Sequence, residues 1–290
     1  MHKSGFVNIL GKPNVGKSTL MNALLGEKLS IITPKAQTTR HRILGIANDD
    51  DYQIVFSDTP GIIKPGYKLQ EHMMNFVYSA MEDADLFILM TEPENDFTDE
   101  KTLTKLKNTS IPVMLLINKI DLTTMEKIIA KSEQWKRDFP SFMVLPVSAL
   151  NNFNLDKVME KILEVIPENP PYFPKDELTD RPLRFFVAEI VREKILLNYQ
   201  KEIPYSVEVS VEEYREEEKL VRIRCVIHVA RNSQKGILIG HKGSALKKIG
   251  TQARKDIEEF IGKQVFIDLH VKVSKNWRDD EMQLGRFGYR

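Results

Sequence analysis

The sequence predicts two α/β domains: a mixed, mostly parallel six-stranded sheet with helices around it, and then a smaller α+β domain. Three observations indicate this arrangement. Short apolar runs alternate with amphipathic stretches up to about residue 166, prolines then crowd a short segment, and a different order of helices and strands follows. The 290 residues suffice for two hydrophobic cores of ordinary size.

Short apolar runs predict six strands in the first domain, at residues 5–10, 43–47, 52–57, 86–90, 113–117 and 143–147. The second and third strands are separated only by Asn48-Asp49-Asp50-Asp51, a run typical of a tight turn. We therefore expect that pair to be antiparallel and the sheet to be mixed. Amphipathic stretches between the strands predict helices at residues 16–26, 69–81, 98–107, 124–138 and 154–166.

A proline-rich segment separates the two domains, and its density of proline predicts an extended, stiff linker. The five prolines are Pro167, Pro170, Pro171, Pro174 and Pro182. Beyond them, the apolar periodicity predicts the order α-β-β-α-α-β. We assign residues 1–168 to the first domain, 169–182 to the linker, 183–275 to the second domain and 276–290 to a C-terminal tail.

Composition and charge narrow the class of protein. The single cysteine, Cys225, forms no internal disulfide, and its place among alternating valines and isoleucines predicts a core side chain. No apolar run approaches the roughly 20 residues of a membrane span, and the N-terminus has no signal region, so we expect a cytoplasmic protein. The net charge of +1 hides −5 over residues 1–180 and +6 over residues 181–290, with +9 concentrated in residues 219–275. The second domain is therefore the candidate for binding a polyanion.

The first candidate site is a phosphate-binding loop between the first strand and the first helix. The residues that fit the pattern G-x-x-x-x-G-K-[ST] are Gly11, Lys12, Pro13, Asn14, Val15, Gly16, Lys17 and Ser18, and Thr19 directly after them is a further candidate nucleotide contact. Backbone N–H groups of such a turn and the positive end of a helix surround phosphates. We expect Lys17 to reach the outer phosphates and the Ser18 hydroxyl to bind Mg²⁺.

Asp58-Thr59-Pro60-Gly61, followed by Ile62, ends the third strand beside this loop. At that position the Asp58 carboxylate is expected to hold Mg²⁺ through water, and the Gly61 amide to approach a γ-phosphate.

Two more segments, which we call the guanine segments, predict a site for the base. Asn118-Lys119-Ile120-Asp121 follows the fifth strand, and Ser148-Ala149-Leu150 follows the sixth. The Asp121 carboxylate accepts from both N–H donors on the edge of guanine, whereas adenine offers an acceptor there and would leave a buried charge unpaired. We expect Asn118 to tie this loop to the phosphate loop, Lys119 to cover the base, and the amides of residues 148–150 to meet the guanine oxygen.

Together these segments resemble the nucleotide-binding motifs of the translation-factor-like class of P-loop GTPases. The resemblance implies GTP, GDP and Mg²⁺ as ligands, and Thr39 as the threonine that binds Mg²⁺ when the γ-phosphate is present. The catalytic residues that it implies are Lys17, Thr39, Asp58 and Gly61. Ile62 stands where Ras-like proteins carry a water-orienting glutamine, so we expect slow hydrolysis without activation. Asn14 is similar to the asparagine that helps to hold K⁺ in related bacterial GTPases.

The second candidate site is a G-x-x-G loop, Gly240-His241-Lys242-Gly243, between two predicted helices. The glycines allow close approach to a nucleic-acid backbone, and Lys242 is placed to meet phosphates. This loop within the order α-β-β-α-α-β resembles a type II KH domain, which implies binding of one RNA strand over about four nucleotides. The candidate RNA contacts are Lys235, Ile239, Gly240, His241, Lys242, Gly243, Lys247 and Lys248.

The chain as a whole, from residue 5 to about 289, resembles the Era-type family of bacterial GTPases, in which a P-loop GTPase domain precedes a type II KH domain. The resemblance implies a monomeric GTP switch that binds the 3′ end of 16S ribosomal RNA, but not DNA, and assists 30S ribosomal subunit assembly. It also implies peripheral association with the cytoplasmic face of the inner membrane. One departure is Ser274-Lys275-Asn276-Trp277, where the family pattern has Lys-Gly-Trp. The path of the tail is therefore open, and we expect Trp277 to pin it rather than to stack on a base.

Two alternatives to this switch stay open. A GTP-dependent RNA-modifying enzyme would need a nucleophile, cofactor or metal site in residues 181–290, where the sequence shows none. A non-hydrolysing RNA-binding protein would have a vestigial nucleotide site, which the intact Lys17, Ser18 and Asp121 argue against. For the switch, we expect GTP with Mg²⁺ to draw the loops around Thr39 and Gly61 inward and so to shift the second domain about the linker.

Overall fold

The computed structural model describes residues 2–289, which form two compact units. Unit 1 comprises residues 2–64 and Met73–Asp180, and unit 2 comprises Pro65–His72 and residues 181–289. The linker predicted at residues 169–182 thus lies largely in unit 1, and a short segment from the middle of the chain lies in unit 2. The domain boundaries assigned from the prolines stay a prediction.

Unit 1 contains the predicted mixed sheet of six strands. The strands are β1 (Lys3–Gly11), β2 (Ile43–Asn48), β3 (Tyr52–Asp58), β4 (Leu86–Thr91), β5 (Val113–Ile117) and β6 (Met143–Pro146). Their order is β2-β3-β1-β4-β5-β6, with β2 antiparallel to β3 and every other pair parallel. Every residue of β4 and β5 is buried, as expected for central strands that helices cover on both faces. The phosphate loop after β1 and the segments after β5 and β6 therefore lie at the same edge of the sheet, where the carboxyl ends of these parallel strands meet.

The first five helices start and end within two residues of the predicted positions. They are α1 (Lys17–Leu25), α2 (Lys68–Ala80), α3 (Glu100–Lys107), α4 (Met125–Asp138) and α5 (Leu155–Val165). Gly26 ends α1 in the left-handed conformation, with φ of 71°. Helix α3 starts later than predicted because the Asp99 side chain caps it, accepting a hydrogen bond from Thr102 N at 2.8 Å.

The linker is bonded to strands β2 and β3 within unit 1. The Gln53 side-chain oxygen accepts from Tyr172 N at 2.7 Å and from Phe173 N at 2.9 Å. Further along, Ile46 N donates to the Leu178 carbonyl at 2.9 Å. Backbone groups of the edge strand β2, which would otherwise face water, are thereby paired with the linker.

Unit 2 follows the predicted order, with two short helices added. Its elements are α6 (Leu183–Asn198), α7 (Ile203–Ser206), β7 (Val207–Glu216), β8 (Leu220–Val229), α8 (Asn232–Ile239), α9 (Ser244–Ile261), β9 (Gln264–Val273) and α10 (Glu281–Arg286). Strand β8 lies in the centre of the sheet, antiparallel to β7 and parallel to β9. Cys225 on β8 is fully buried in the core, and burial raises the pKa of its thiol to about 12.

The C-terminal segment packs against the body of unit 2. Trp277 is fully buried, and its indole N–H donates to the Ser206 carbonyl at 3.0 Å. Tyr289 is also buried, and its hydroxyl donates to Glu208 Oε2 at 2.7 Å. These two anchors give the tail, whose path the sequence left open, a defined route, and they place Trp277 as a pin. Within residues 2–289, no helix combines the length and the apolar composition of a membrane span.

Unit 2 also holds the Pro65–His72 segment against this tail. Glu281 lies between two side chains of the segment, with Lys68 Nζ at 3.1 Å and His72 Nε2 at 2.9 Å from its carboxylate oxygens. The Arg278 guanidinium lies 4.9 Å from the centre of the Tyr67 ring. The start of α2 is thus bonded to residues more than 200 positions later in the chain.

Candidate nucleotide and nucleic-acid sites

The phosphate loop connects the end of β1 to the start of α1, as its motif predicts. Gly11 and Gly16 have φ of 154° and 104°, conformations that side chains rarely adopt. A Cβ at Gly16 would lie 2.3 Å from the Asn118 side-chain nitrogen, so glycine permits the close approach of the two loops. The loop borders a cavity of about 440 Å³. Its lining includes Pro13, Asn14, Gly16, Lys17, Ser18, Thr19, Thr39, Gly61 and Lys119.

Three oxygen donors meet at the base of this cavity, from the start of α1, the loop before β2 and the end of β3. Ser18 Oγ lies 2.6 Å from Asp58 Oδ2 and 2.9 Å from Thr39 Oγ1. Thr39 Oγ1 lies 3.3 Å from Asp58 Oδ2. Hydroxyl and carboxylate oxygens are the ligands that Mg²⁺ prefers. The chemistry of this donor set therefore fits the predicted magnesium site.

Lys17 is a buried cation at the start of α1. Its ammonium donates to the carbonyls of Gly11 at 3.3 Å and Lys12 at 3.0 Å. Burial lowers the pKa of Lys17 to about 8, against the opposing effect of the Asp58 charge. Burial likewise raises the pKa of Asp58, and the Lys17 charge and the Ser18 hydrogen bond oppose that rise. The Lys17 ammonium provides a positive charge close to where phosphates are expected to bind.

The segment after β3 lies against the phosphate loop. Thr59 Oγ1 donates to the Ile9 carbonyl at 2.7 Å, and Ile62 N donates to the Gly11 carbonyl at 3.0 Å. A Cβ at Gly61 would lie 2.5 Å from Pro13 N, so only glycine fits here without displacement of the backbone. Ile62 is buried in the apolar core of unit 1. The side chain after Gly61 is therefore neither polar nor exposed to a water at the phosphates.

Asn118 joins the three loops expected to surround the base. Its side-chain nitrogen donates to the Val15 carbonyl at 2.8 Å, and its side-chain oxygen accepts from Ala149 N at 2.9 Å. The Ser148 hydroxyl donates to Asp121 Oδ1 at 2.6 Å and so orients that carboxylate. Ile120 N pairs with the Val147 carbonyl at 3.4 Å, and Leu150 is 76% exposed.

Two residues of the predicted nucleotide site, Lys119 and Asn14, form hydrogen bonds to neighbouring loops. Lys119 Nζ donates to the Asn14 carbonyl at 2.7 Å, which ties the guanine segment to the phosphate loop. The Asn14 side chain donates to the Pro34 carbonyl at 2.9 Å, and Asn14 has a left-handed φ of 62°. The cavity also borders residues that the sequence motifs did not indicate, among them Ile31, Ile32, Thr33 and Gln37.

In unit 2, the G-x-x-G segment forms a tight turn between α8 and α9. Gly240 and Gly243 have left-handed φ values of 70° and 79°. A Cβ at Gly240 would lie 2.6 Å from that of Ala245, so the turn requires glycine there. Lys242 is exposed at the tip with φ of 49°, beside the exposed His241.

A cleft of about 370 Å³ runs from this turn between α9 and β9. Gly243 and Lys247 are the predicted RNA contacts that line it. Thr251 and Arg254 also line it, although neither is among the predicted contacts. Their spacing of four and seven residues from Lys247, which places all three on one face of α9, was the available signal. Ile239 is half-buried, whereas its neighbour Ile237 is 48% exposed.

Comparisons with known proteins agree with this geometry. Residues 6–119 match the model of a family described as 50S ribosome-binding GTPase, and residues 202–278 match the KH domain. The chain is 46% identical over 291 residues to GTPase Era of Geotalea daltonii, an alignment covering 99% of this chain and 97% of that protein.

Two crystal structures are similar over nearly the whole chain. One is Era in complex with MgGDPNP and nucleotides 1506–1542 of 16S ribosomal RNA, with a TM-score of 0.95, 39% identity and coverage of 100% of this chain and 99% of that one. The other is a point variant of Aquifex aeolicus Era bound to GDP·AlF4⁻, with a TM-score of 0.95, 39% identity and 99% coverage of both chains.

Proposed function

Since this chain belongs to the Era family of GTPases and hydrolyses GTP to GDP and phosphate, we propose that it is a GTP switch acting on ribosomal RNA. Its ligand is the 3′ end of 16S ribosomal RNA, and its role is to assist assembly of the 30S subunit in the cytoplasm. A similar protein bound to nucleotides 1506–1542 of that RNA supports this assignment. The protein works as a monomer, and its peripheral association with the inner membrane stays a prediction.

The observation that carries the RNA assignment is the glycine turn at the mouth of the cleft in unit 2. Gly240 and Gly243 keep the backbone free of side chains, and Lys242 extends from the tip. Lys247 and Arg254 place further positive charge along the cleft wall. Backbone phosphates at the turn and unstacked bases in the cleft suit a single strand better than a duplex.

The nucleotide residues take the roles that their contacts support. Lys17 holds the outer phosphates, Asp121 selects guanine, and Asn118 keeps the surrounding loops together. Ser18 and Thr39 would hold Mg²⁺ directly and Asp58 would hold it through water, and the bound ion would neutralise charge on the phosphate oxygens. Because the residue directly after Gly61 is the buried, apolar Ile62, its side chain does not orient the attacking water. That task falls to the backbone, the metal or a partner, and unaided hydrolysis is slow.

A potassium ion beside the phosphates is the second cation of the proposal. Asn14 supports it because the residue is in the phosphate loop and its side chain reaches Pro34. We expect GTP hydrolysis to be faster in KCl than in NaCl at equal ionic strength. Equal rates in the two salts would remove potassium from the scheme.

Two connections support coupling between the nucleotide and the RNA cleft. Gly61 is followed after three residues by Pro65–His72, which is held against the C-terminal segment through Glu281. Thr39 precedes β2, whose Ile46 is bonded to the linker at Leu178. If binding of the γ-phosphate moves either loop, these two connections would transmit the movement along the chain towards unit 2.

RNA binding by purified protein tests the proposal. Fluorescence anisotropy would compare an RNA of the 16S 3′ end with a scrambled RNA of equal length, in the presence of a GTP analogue. We expect tighter binding of the 3′-end sequence, and Lys242→Ala to weaken it about fivefold and to reduce its salt dependence. Lys219→Ala, at an exposed lysine of the same unit, is the matched control and should leave binding unchanged. Equal binding of both RNAs would refute the assigned sequence, and equal effects of the two variants would refute the assigned cleft.

A further inference from the structure

Glu92 is a charged residue that none of the nucleotide motifs includes. It begins the loop between β4 and α3, and its side chain is only 18% exposed. Glu92 Oε1 lies 2.5 Å from Lys119 Nζ, the ammonium of the guanine segment. We propose that Glu92 is a positioning residue for nucleotide binding, which holds the Lys119 side chain in place across the face of the base.

The contacts of Glu92 show that its own position is fixed. Its second oxygen, Oε2, accepts from the Asn95 side chain at 2.8 Å. The Asn95 carbonyl in turn accepts from Thr91 Oγ1 at 3.1 Å, so the loop is folded onto the end of β4. A carboxylate already held at one oxygen loses less freedom when its other oxygen pairs with an ammonium, which makes the ion pair with Lys119 more effective.

Lys119 needs such a partner because of its backbone. Its φ of 62° and ψ of 35° lie in the left-handed region, which costs free energy for any residue but glycine. The side chain then has two anchors, the Asn14 carbonyl at 2.7 Å and the Glu92 carboxylate. The carbonyl sets where the ammonium meets the phosphate loop, and the carboxylate adds the opposite charge that keeps the stem extended between them.

The loop that begins at Glu92 also contacts the phosphate loop. Lys12 Nζ donates to the Asp96 carbonyl at 2.5 Å, and Lys131 pairs with the Asp96 carboxylate. Residues 92–96 thus brace both the guanine segment, through Glu92, and the phosphate loop, through Asp96. The inference rests on the nucleotide-binding role proposed for Lys119.

A neighbouring ion pair provides a matched control. Glu94 pairs with Lys127 at 2.6 Å, two residues from Glu92 in the same loop, but those side chains are 63% and 59% exposed. Glu92→Gln and Glu94→Gln each remove one charge and keep the side-chain shape. Only the first removes the negative charge that pairs with Lys119.

The experiment measures dissociation constants of fluorescent GDP and IDP with the full-length protein and Mg²⁺. IDP lacks the amino group that Asp121 recognises but presents the same ring face. We expect Glu92→Gln to weaken both nucleotides by the same factor, roughly tenfold, with kcat at saturating GTP unchanged. Glu94→Gln should bind both as the unchanged protein does. In a Lys119→Met background, Glu92→Gln should have no further effect.

Three results would overturn the inference. Unchanged affinities in Glu92→Gln would remove the positioning role. Weaker GDP with unchanged IDP would move the effect to the base edge and Asp121. A melting temperature of the nucleotide-free protein that falls more in Glu92→Gln than in Glu94→Gln would assign Glu92 to folding. Failure of the unchanged protein to bind GDP would instead refute the proposed nucleotide site itself.

Discussion

The buried ammonium of Lys17 should make nucleotide affinity depend on pH. It lies at the phosphate site with a pKa that burial lowers to about 8. A nucleotide binds the protonated form, because its phosphates attract the charge, and bound phosphates therefore raise the pKa. Binding above about pH 8 must consequently take up a proton that the free protein has lost.

The size of the effect follows from this pKa. Below about pH 8 both states hold the proton, so affinity is nearly constant. Above it, affinity falls about tenfold for each pH unit, until the pKa of the complex is reached. Between pH 7 and pH 9 the dissociation constant of GDP should thus rise about tenfold. The nucleotide-free protein shows the opposite trend: its stability should decrease as pH falls from 10.5 towards about 8, since unfolded Lys17 binds the proton more tightly.

Titration of fluorescent GDP against the protein at several pH values measures this profile. Lys17→Gln is the control, because it keeps every other titrating group, including guanine, and lacks the ammonium. We expect weak, pH-independent binding by the variant over the range in which the unchanged protein loses affinity. A flat profile for the unchanged protein up to pH 9, or the same slope in both proteins, would refute the reasoning.

Three further substitutions test other parts of the account. Asp121→Asn exchanges an acceptor for a donor, so competition binding should show at least a hundredfold loss of affinity for GTP. Affinity for xanthosine triphosphate should rise, because that nucleotide has a carbonyl in place of the guanine amino group. Unchanged selectivity would contradict the role of Asp121. Gly61→Ala puts a Cβ 2.5 Å from Pro13 N, so phosphate release should slow about tenfold or more. The affinity for GDP should stay within about threefold of that of the unchanged protein. An unaltered kcat would argue against this contact. Trp277→Ala should lower the free energy of unfolding of unit 2 by about 3–5 kcal/mol in urea, and a loss under about 1 kcal/mol would show that the tail is not pinned.

Local patterns in the sequence were sufficient to predict most elements of the fold. Strands β4 and β5 are buried along their whole length, so they are continuous apolar runs in the sequence. The short helix α7 was not predicted, because four residues are too few to show a helical period. The start of α3 differed by two residues from the prediction because a capping side chain, Asp99, sets it.

In the candidate site, too, residues close together in the sequence were predicted, whereas pairs far apart in the sequence were not. Residues of the phosphate loop are consecutive, so their spacing is visible in the sequence. Glu92 and Lys119 are 27 positions apart, and Lys68 and Glu281 more than 200, so only the folded chain brings each pair together. The spacing of Arg254 from Lys247 places both on one face of α9, but that this face lines a cleft depends on the packing of α9 against β9, which the helix's own sequence does not reveal.

The measurement that tests the central claim most directly is the RNA affinity of one protein preparation in three states: with a GTP analogue, with GDP and without nucleotide. Coupling between two sites in a protein is typically worth about 5- to 150-fold in affinity. We predict that the 16S 3′-end RNA binds at least about fivefold more tightly with the GTP analogue than in the other two states. We also predict that RNA tightens binding of the analogue by the same factor. Equal RNA affinity in all three states would contradict the account, because GTP would then have no control over the cleft.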